Sequence, residues 1–448
     1  MRKSSELLRG GIWAVALGMM ASTGQAEESR PTAQPPAADW AAVRDETFAV
    51  VWKTVNDSYF DPTFGGVDWA AVGDKYRQQL PEVADKAALR HLLQAMLGEL
   101  RKTHFSILPR EMSVFTPAER KRAGTVGLAV VCVDHEIAVE RVAPASPAAA
   151  AGITAGDVIV GIDGLEMPRL RAWLDELEVT PARRALYLTG LVTSRLQGAV
   201  GTPVRMQLRA ASGTERTVEL AFTDHPGEWT EPMGDLPSVP IQVTGRCEPD
   251  GLGYLRFNVF ARPVMKDFRA LVRQVPPDGG MVIDLRGNGG GLTVMASGMT
   301  GWLSDRTFSL GAMHLRQGHM GFTVTPQSGA FLGPVALLID SGSASTSEVL
   351  AAGLQEAGRA RVFGETSPGA ALPSLFKALP TGDLLQHAIA DLQTPRGRLI
   401  EGEGVTPDEV VARTAADLAA GRDPVLEAAR RWIEATRHKP AAPPADSR

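Results

Sequence analysis

The sequence predicts a multidomain α/β protein, with a helical N-terminal unit, a β-rich middle and an α/β core towards the C-terminus. Three observations predict it. Apolar residues recur at helical spacing through the first hundred residues, short alternating strands fill residues 124–222, and uninterrupted apolar runs alternate with helical stretches from residue 254 onward. Apolar runs without alternation suit strands buried on both faces, as in a sheet covered by helices.

At the start, Arg2, Lys3 and Arg9 lead into an apolar stretch over 12–21, and small residues follow up to Ala26. This is the pattern of a secretory leader over residues 1–26. Its apolar part is short for a bilayer span, so no stable membrane insertion is expected once the leader is removed. The expected location is periplasmic or secreted. A net charge of −5 without a long basic run gives no electrostatic footprint for nucleic acid. Two cysteines, Cys132 and Cys247, do not make a disulfide scaffold.

Residues 27–112 read as the helical unit, after a polar, proline-rich beginning. Phe48, Val51, Trp52, Val55 and Tyr59 form one helical stripe, and Leu89, Leu92, Leu93, Met96, Leu97 and Leu100 a second. Asp61-Pro62 and Gly65-Gly66 separate them as a loop. His91 lies off the second stripe and is expected in solvent. Thr103-His104 follows that helix, ahead of the apolar Phe105, Ile107 and Leu108. A lone histidine is more often a partly buried surface residue than a functional one, yet a helix end can aim an imidazole into a cleft.

Residues 120–225 change character. Thr125-Val126-Gly127-Leu128-Ala129-Val130 and the run 137–142 read as strands, Ser146-Pro147 opens a short small-residue helix, and Gly156-Asp157-Val158 begins another strand ending at Asp163-Gly164. After a Leu- and Arg-rich insert, Gly201-Thr202-Pro203-Val204 and a strand at 216–220 close the unit. This segment resembles a PDZ domain of the bacterial protease type. The resemblance implies binding of peptide ends by strand addition, with backbone amides of Val126, Gly127, Leu128 and Ala129 receiving a terminal carboxylate.

Residues 226–240 are rich in proline and glycine, as in a linker, and residues 236–436 read as the α/β core. A strand at 281–285 runs into Arg286-Gly287-Asn288-Gly289-Gly290-Gly291. Glycines there let backbone N–H groups point at a ligand or a developing negative charge. The run has neither dinucleotide spacing nor the Lys-Ser/Thr ending of a phosphate loop. A second strand, 335–339, enters Asp340-Ser341-Gly342-Ser343-Ala344-Ser345-Thr346-Ser347-Glu348. A serine at such a strand–turn–helix junction suits a nucleophile, although helix capping is its commoner use.

Taken together, Asp284-Leu285-Arg286-Gly287-Asn288-Gly289-Gly290, Gly342-Ser343-Ala344-Ser345-Thr346-Ser347-Glu348 and Gly404-Val405-Thr406-Pro407-Asp408 resemble the C-terminal processing (tail-specific) serine peptidase family. The resemblance covers nearly all of the chain after the leader, and implies a ClpP/crotonase-like core into whose chain the PDZ-like domain is inserted. It implies Ser345 as nucleophile, with Gly290 or Gly291 and Thr346 as oxyanion donors. It implies polypeptide substrates and no cofactor. Many members carry a basic lysine in a Gly-Lys-Gly stretch, and here Ala370 stands at that place. The tricorn-core branch instead uses a histidine preceded by a small hydroxyl residue and supported by a glutamate. Thr103-His104 fits that pair, and Glu401, with Glu403 second, fits the acid. Lys377 is the fallback base, more simply read as a solvent-facing strand residue. The expected function is an exported serine endopeptidase; the alternative is an inactive peptide- or ligand-binding protein of the same fold.

The remaining features read plainly. Asp284 and Arg286 brace the glycine loop, and Glu348 suits the positive end of its helix. His314 and His319 fit no metal motif, so no metal is expected. A last amphipathic helix starts at Asp423-Pro424, and residues 437–448 form a Pro- and Ala-rich tail expected to be disordered.

Overall fold

The structure is a computed structural model that describes residues 40–108, 123–175, 179–231 and 238–437. The expectations for the leader over 1–26 and for the tail from residue 438 lie outside these residues.

The N-terminal helices are α1 (Trp40–Ser58), α2 (Trp69–Arg77) and α3 (Lys86–Gly98), followed by the short strand β1 (Ser106–Leu108). Asp85 caps α3 by accepting from Ala88 N–H at 2.8 Å. The stripes of α1 and α3 bury Phe48, Val51, Val55, Leu89, Leu93, Met96 and Leu97 as their spacing predicts, and His91 is exposed. These helices are not self-contained. Their core includes Leu372, Leu379, Leu385 and Ala388 from far along the chain.

In the middle unit, β2 (Ala123–Thr125), β3 (Leu128–Val133), β4 (Glu136–Val142), helix α4 (Pro147–Ala150), β5 (Val158–Ile162) and β6 (Leu165–Glu166) come first. The Leu- and Arg-rich insert forms α5 (Met167–Asp175) and α6 (Pro181–Arg195). Thr180 caps α6, and Pro181 sits at its first position, where no N–H is needed. Then follow β7 (Gln197–Ala199), β8 (Pro203–Arg209) and β9 (Glu215–Ala221). The sheet order is β3-β4-β5-β8-β9, leaving β3 at an edge, with β6 paired to β5. The run read as one strand from Thr125 is broken, β2 ending at Thr125 and β3 beginning at Leu128, because Gly127 turns the chain at φ 82°. A Cβ there would stand 2.2 Å from Cβ of Ser146, so only glycine fits.

The core holds β10 (Val243–Cys247), β11 (Leu252–Phe257), α7 (Val264–Gln274), β12 (Gly280–Asp284), α8 (Thr293–Gly301), β13 (Phe308–Leu315), β14 (His319–Val324), β15 (Val335–Ile339), α9 (Thr346–Glu356) and β16 (Arg361–Gly364). It ends with β17 (Ser374–Ala378), β18 (Leu384–Ala388), β19 (Ala390–Gln393), β20 (Glu409–Val410), α10 (Ala415–Ala419) and α11 (Pro424–Arg437). The main sheet runs β10-β11-β12-β15-β16-β20, parallel except for the β10–β11 pair. Its strands explain the uninterrupted apolar runs. Met281, Ile283, Val335 and Leu337 pack with residues of α7, α8 and α9, while Val282, Ala336 and Leu338 pack with Val425, Ala428 and Ile433 of α11. Strands β17 and β18 pair with each other, β18 pairs with β1, and the hairpin packs on the N-terminal helices. The middle unit seats on α10 through Val131, Val133, Ala138 and Val158 against Leu418. Cys132 and Cys247 are both free thiols.

Candidate active site

Strand β15 ends at Ile339, and the turn from Asp340 to α9 is tied to the glycine loop at the end of β12. Asp340 Oδ1 accepts the N–H groups of Gly342 and Gly287, each at 2.9 Å. Ser343 Oγ donates to Leu285 O at 2.8 Å, and Ala344 N–H to Asn288 O at 3.0 Å. Ser345 then takes φ 55° and ψ −116°, a sparsely populated conformation for an L-residue. Such strain costs on the order of 1–3 kcal/mol and persists where surrounding bonds over-determine it. Here Ser345 N–H is shared between Ala370 O and Glu348 Oε2, both at 3.0 Å.

The glycine loop lies directly against this serine. A Cβ on Gly290 would stand 2.8 Å from Cβ of Ser345 and 3.0 Å from Ala344 O. Gly290 N–H donates to Asn288 Oδ1 at 2.9 Å, so that amide is occupied. Gly291 O accepts from Thr346 Oγ1 at 2.8 Å, which holds the loop beside the first turn of α9.

The second half of the site comes from the turn between α3 and β1. His104 has φ 62° and is 3 % exposed. Its Nδ1 is 2.7 Å from Thr103 Oγ1, and Thr103 Oγ1 donates to Glu401 Oε2 at 2.9 Å. Glu401 also accepts from Thr103 N–H at 3.1 Å and Ala371 N–H at 3.3 Å, and its Oε1 is 3.4 Å from Arg183 Nη2. In each of these contacts the Glu401 oxygens are the acceptors, Thr103 Oγ1 being one of the donors. The single hydroxyl proton of Thr103 is therefore spent on Glu401, and Nδ1 of His104 must be the donor to Thr103 Oγ1. Nε2 is left with its lone pair, buried and without a hydrogen-bond partner. Burial, helped by the Arg183 charge, lowers the imidazole pKa to about 3, so His104 is neutral near pH 7.

The loop around Ala370 joins the two halves. Ala370 O receives Ser345 N–H, and the next residue donates to Glu401. Ala370 itself is buried against Ala344 and Leu186 of α6, with no lysine at this place. Lys377 is exposed on β17, and Glu403 is exposed, whereas Glu401 is the acid that holds Thr103. Among the described residues, no group of three or more His, Cys, Asp or Glu side chains could hold a metal ion.

Two parts of the site were not read from the sequence. Glu348, read only for its charge at a helix start, is fully buried and accepts four hydrogen bonds. Ser367 Oγ donates at 2.6 Å, Gly369 N–H at 2.8 Å, Ala370 N–H at 3.0 Å and Ser345 N–H at 3.0 Å. Burial pushes its pKa up to about 7, against the pull of those donors. The Ser-x-x-Glu spacing of Ser345 and Glu348 was a usable signal, since it is that of a capping box. The other is Arg183 on α6, which donates through Nε to Pro368 O at 3.3 Å and through Nη2 to Gly369 O. Nothing local to Arg183 marks it. Asp284 and Arg286 do brace the loop, paired at 2.6 Å, and Arg286 reaches Asp423 at 2.7 Å.

A nucleophile-type serine turn, a glycine loop beside it and a hydroxyl-supported imidazole make up this region, and the comparisons with known proteins give its class, a serine-type peptidase. Residues 251–411 match peptidase family S41, residues 38–98 the tricorn protease C1 domain and residues 138–185 a PDZ domain. The chain thus carries an S41 peptidase domain, a tricorn C1-type N-terminal part and a PDZ domain, and its homologues include carboxyl-terminal-processing proteases and tricorn protease homologs. It is 27% identical over 366 residues to a carboxyl-terminal-processing protease of Synechocystis sp., covering 80% of this chain and 79% of the relative. It is 28% identical over 417 residues to tricorn protease homolog 1 of Streptomyces coelicolor, covering 88% of this chain and 35% of that one. Among solved structures, the photosystem II D1 C-terminal processing protease shares the fold with a TM-score of 0.56 at 24% identity, over 86% of this chain and 99% of that one.

Among the described residues, no helix is long and apolar enough to cross a membrane.

Proposed function

We propose that the protein is an exported serine endopeptidase in which Ser345 is the nucleophile and His104 the general base, with the PDZ domain engaging peptide ends. The observation that carries this reading is the Glu401–Thr103–His104 chain, which leaves the Nε2 lone pair of a neutral imidazole buried and available. Ala370 in the lysine's place removes the other base used in this family.

His104 Nε2 takes the hydroxyl proton of Ser345 as Oγ attacks the scissile carbonyl, and the imidazolium returns it to the leaving amine. During that step the Nδ1–H bond to Thr103 becomes charge-assisted, with Glu401 stabilising the positive ring through the threonine hydroxyl. Gly291 and Thr346 N–H groups are the oxyanion donors this geometry favours, because Gly290 N–H is committed to Asn288. Peptide ends add to the edge strand β3, near the turn of Val126, Gly127, Leu128 and Ala129. Within that turn Gly127 N–H donates to Thr125 Oγ1 at 3.0 Å, so that amide is committed. Export rests on the basic and apolar pattern of residues 1–26.

The test is cleavage of an unstructured protein together with covalent labelling by a fluorophosphonate. Ser345→Ala should abolish both, and His104→Ala should lower both by about 10²–10⁴-fold. Full activity in His104→Ala with loss in Lys377→Ala would refute the base assignment. Absence of labelling in the unaltered protein would favour a binding protein instead.

A further inference from the structure

The Asp340 knot that ties the nucleophile turn to the glycine loop carries a negative charge, 5 % exposed at its side chain, and the cation beside it is Arg413, at 3.5 Å from Asp340 Oδ2. Arg413 lies just ahead of α10, and its side chain is equally buried. The carboxylate that holds this arginine is not in the core. It is Glu140, on β4 of the PDZ domain, which accepts from Arg413 Nη1 at 2.8 Å.

The same carboxylate accepts from Arg256 Nη2 at 2.7 Å, and that nitrogen also donates to Arg286 O, at the start of the glycine loop, at 3.3 Å. Glu140 is 7 % exposed at its side chain. Burial pushes its pKa up, but the charges of Arg256 and Arg413 outweigh this and hold it down to about 2. One PDZ carboxylate thus bridges two buried core arginines, each one contact from the catalytic loops. The contact is built: it stands beside the apolar seat of β3, β4 and β5 on α10. There Gly156 is packed so closely that a Cβ would meet Ala419 Cβ at 2.5 Å.

We infer that Glu140 is a positioning residue, a PDZ-borne tether that acts through Arg413 and Asp340 to hold the nucleophile turn against the glycine loop. Removing it leaves Arg413 buried with only its 3.5 Å contact to Asp340 and leaves Arg256 to Asp284 alone at 3.8 Å, which is costly. The relief available is for Arg413 to draw Asp340 towards itself, and Asp340 Oδ1 then loses the Gly287 and Gly342 amides. Seating of the PDZ domain is on this account required for a competent site, independently of what its peptide groove holds. The inference rests on Ser345 as the nucleophile, and its test separates the two.

Full-length Glu140→Gln, Arg413→Gln and the double variant are compared with the unaltered protein. Fluorophosphonate labelling of Ser345 reads the nucleophile without a peptide in the groove, and amide hydrogen exchange over residues 285–292 and 338–347 reads the knot without any chemistry. Expected in Glu140→Gln are about tenfold slower labelling, a matching loss in kcat with KM within about twofold, and faster exchange at Gly287 and Gly342. The double variant should be no worse than the poorer single one, because both act on one chain of contacts. Exchange as slow as in the unaltered protein, or additive losses in the double variant, would overturn the inference. No labelling of the unaltered protein would instead remove the nucleophile assignment, while exchange still decides the tether. Should the Gln variants fail to fold, Glu140→Asp keeps the charge but withdraws it by one methylene, and the same readouts decide.

Discussion

Replacing Thr103 by valine removes one oxygen and almost no volume, and it cuts the contact on which the proposed base depends. In the structure, Thr103 Oγ1 lies 2.7 Å from His104 Nδ1 and 2.9 Å from Glu401 Oε2. Without it, the Nδ1–H of a buried ring has no acceptor. The imidazolium formed during catalysis also loses its link to the Glu401 carboxylate. A hydrogen bond to a charged group is worth about 1.5–3 kcal/mol, and each 1.36 kcal/mol is tenfold in rate. A loss of roughly 10- to 150-fold in kcat follows, with KM little changed, since Thr103 is not placed against the substrate. Thr103→Ser keeps the hydroxyl and should stay within about threefold of the unaltered enzyme. Steady-state cleavage of an unstructured protein, with active sites titrated by a fluorophosphonate, gives kcat per competent site. Valine and serine variants of equal activity would refute the reasoning, because the hydroxyl would then have no part in orienting His104.

Other expected outcomes concern the same loops. Glu348 accepts four donors only as a carboxylate, so with its pKa near 7 activity should rise with pH through about 7. His104, lowered to about 3, should not set that limb. A pH–rate profile of Glu348→Gln should be low and lack the rise. For stability the sign is opposite. The folded pKa lies above the ordinary carboxyl value of 4.5, so the contribution of this group is fully present below about 4.5 and lost as pH rises through about 7. Denaturant unfolding of the two proteins across that range measures it. Ala370→Lys in a His104→Ala background should not restore cleavage, because residue 370 is packed against Leu186 and Ala344. Overpacking there should cost about 1–3 kcal/mol in thermal unfolding. Gly290→Ala should abolish labelling of Ser345 while the chain stays folded by circular dichroism, since the added Cβ meets Ser345 Cβ at 2.8 Å at a φ of 106°.

Much of this architecture was legible because its signals are local. A stripe at i, i+3, i+4 and i+7 marks a buried helix face whatever it packs against, and Phe48, Val51, Val55 and Tyr59 are buried as that rule requires. The strands at 281–285 and 335–339 announce two-sided burial by their lack of alternation, and β12 and β15 are covered on both faces. What else the N-terminal helices pack against was not legible, for the complementary reason. Nothing in residues 27–112 says that Leu379, Leu385 and Ala388 of the β17–β18 hairpin join their core.

By itself, the sequence determined the order of units, the helix faces, the buried strands, the glycine and serine turns and the absence of a lysine at residue 370. Period, turn chemistry and capping act over a few residues, so they are written into the chain locally. The tertiary structure decided the partnerships: Thr103 with Glu401 across 298 positions, Arg183 with the Gly369 carbonyl across 186, and Glu140 with Arg413 across 273. Those contacts come from how whole units seat on one another. Burial of apolar faces drives that seating, and it leaves charged groups such as Glu140, Glu348 and Glu401 to find partners wherever packing brings them.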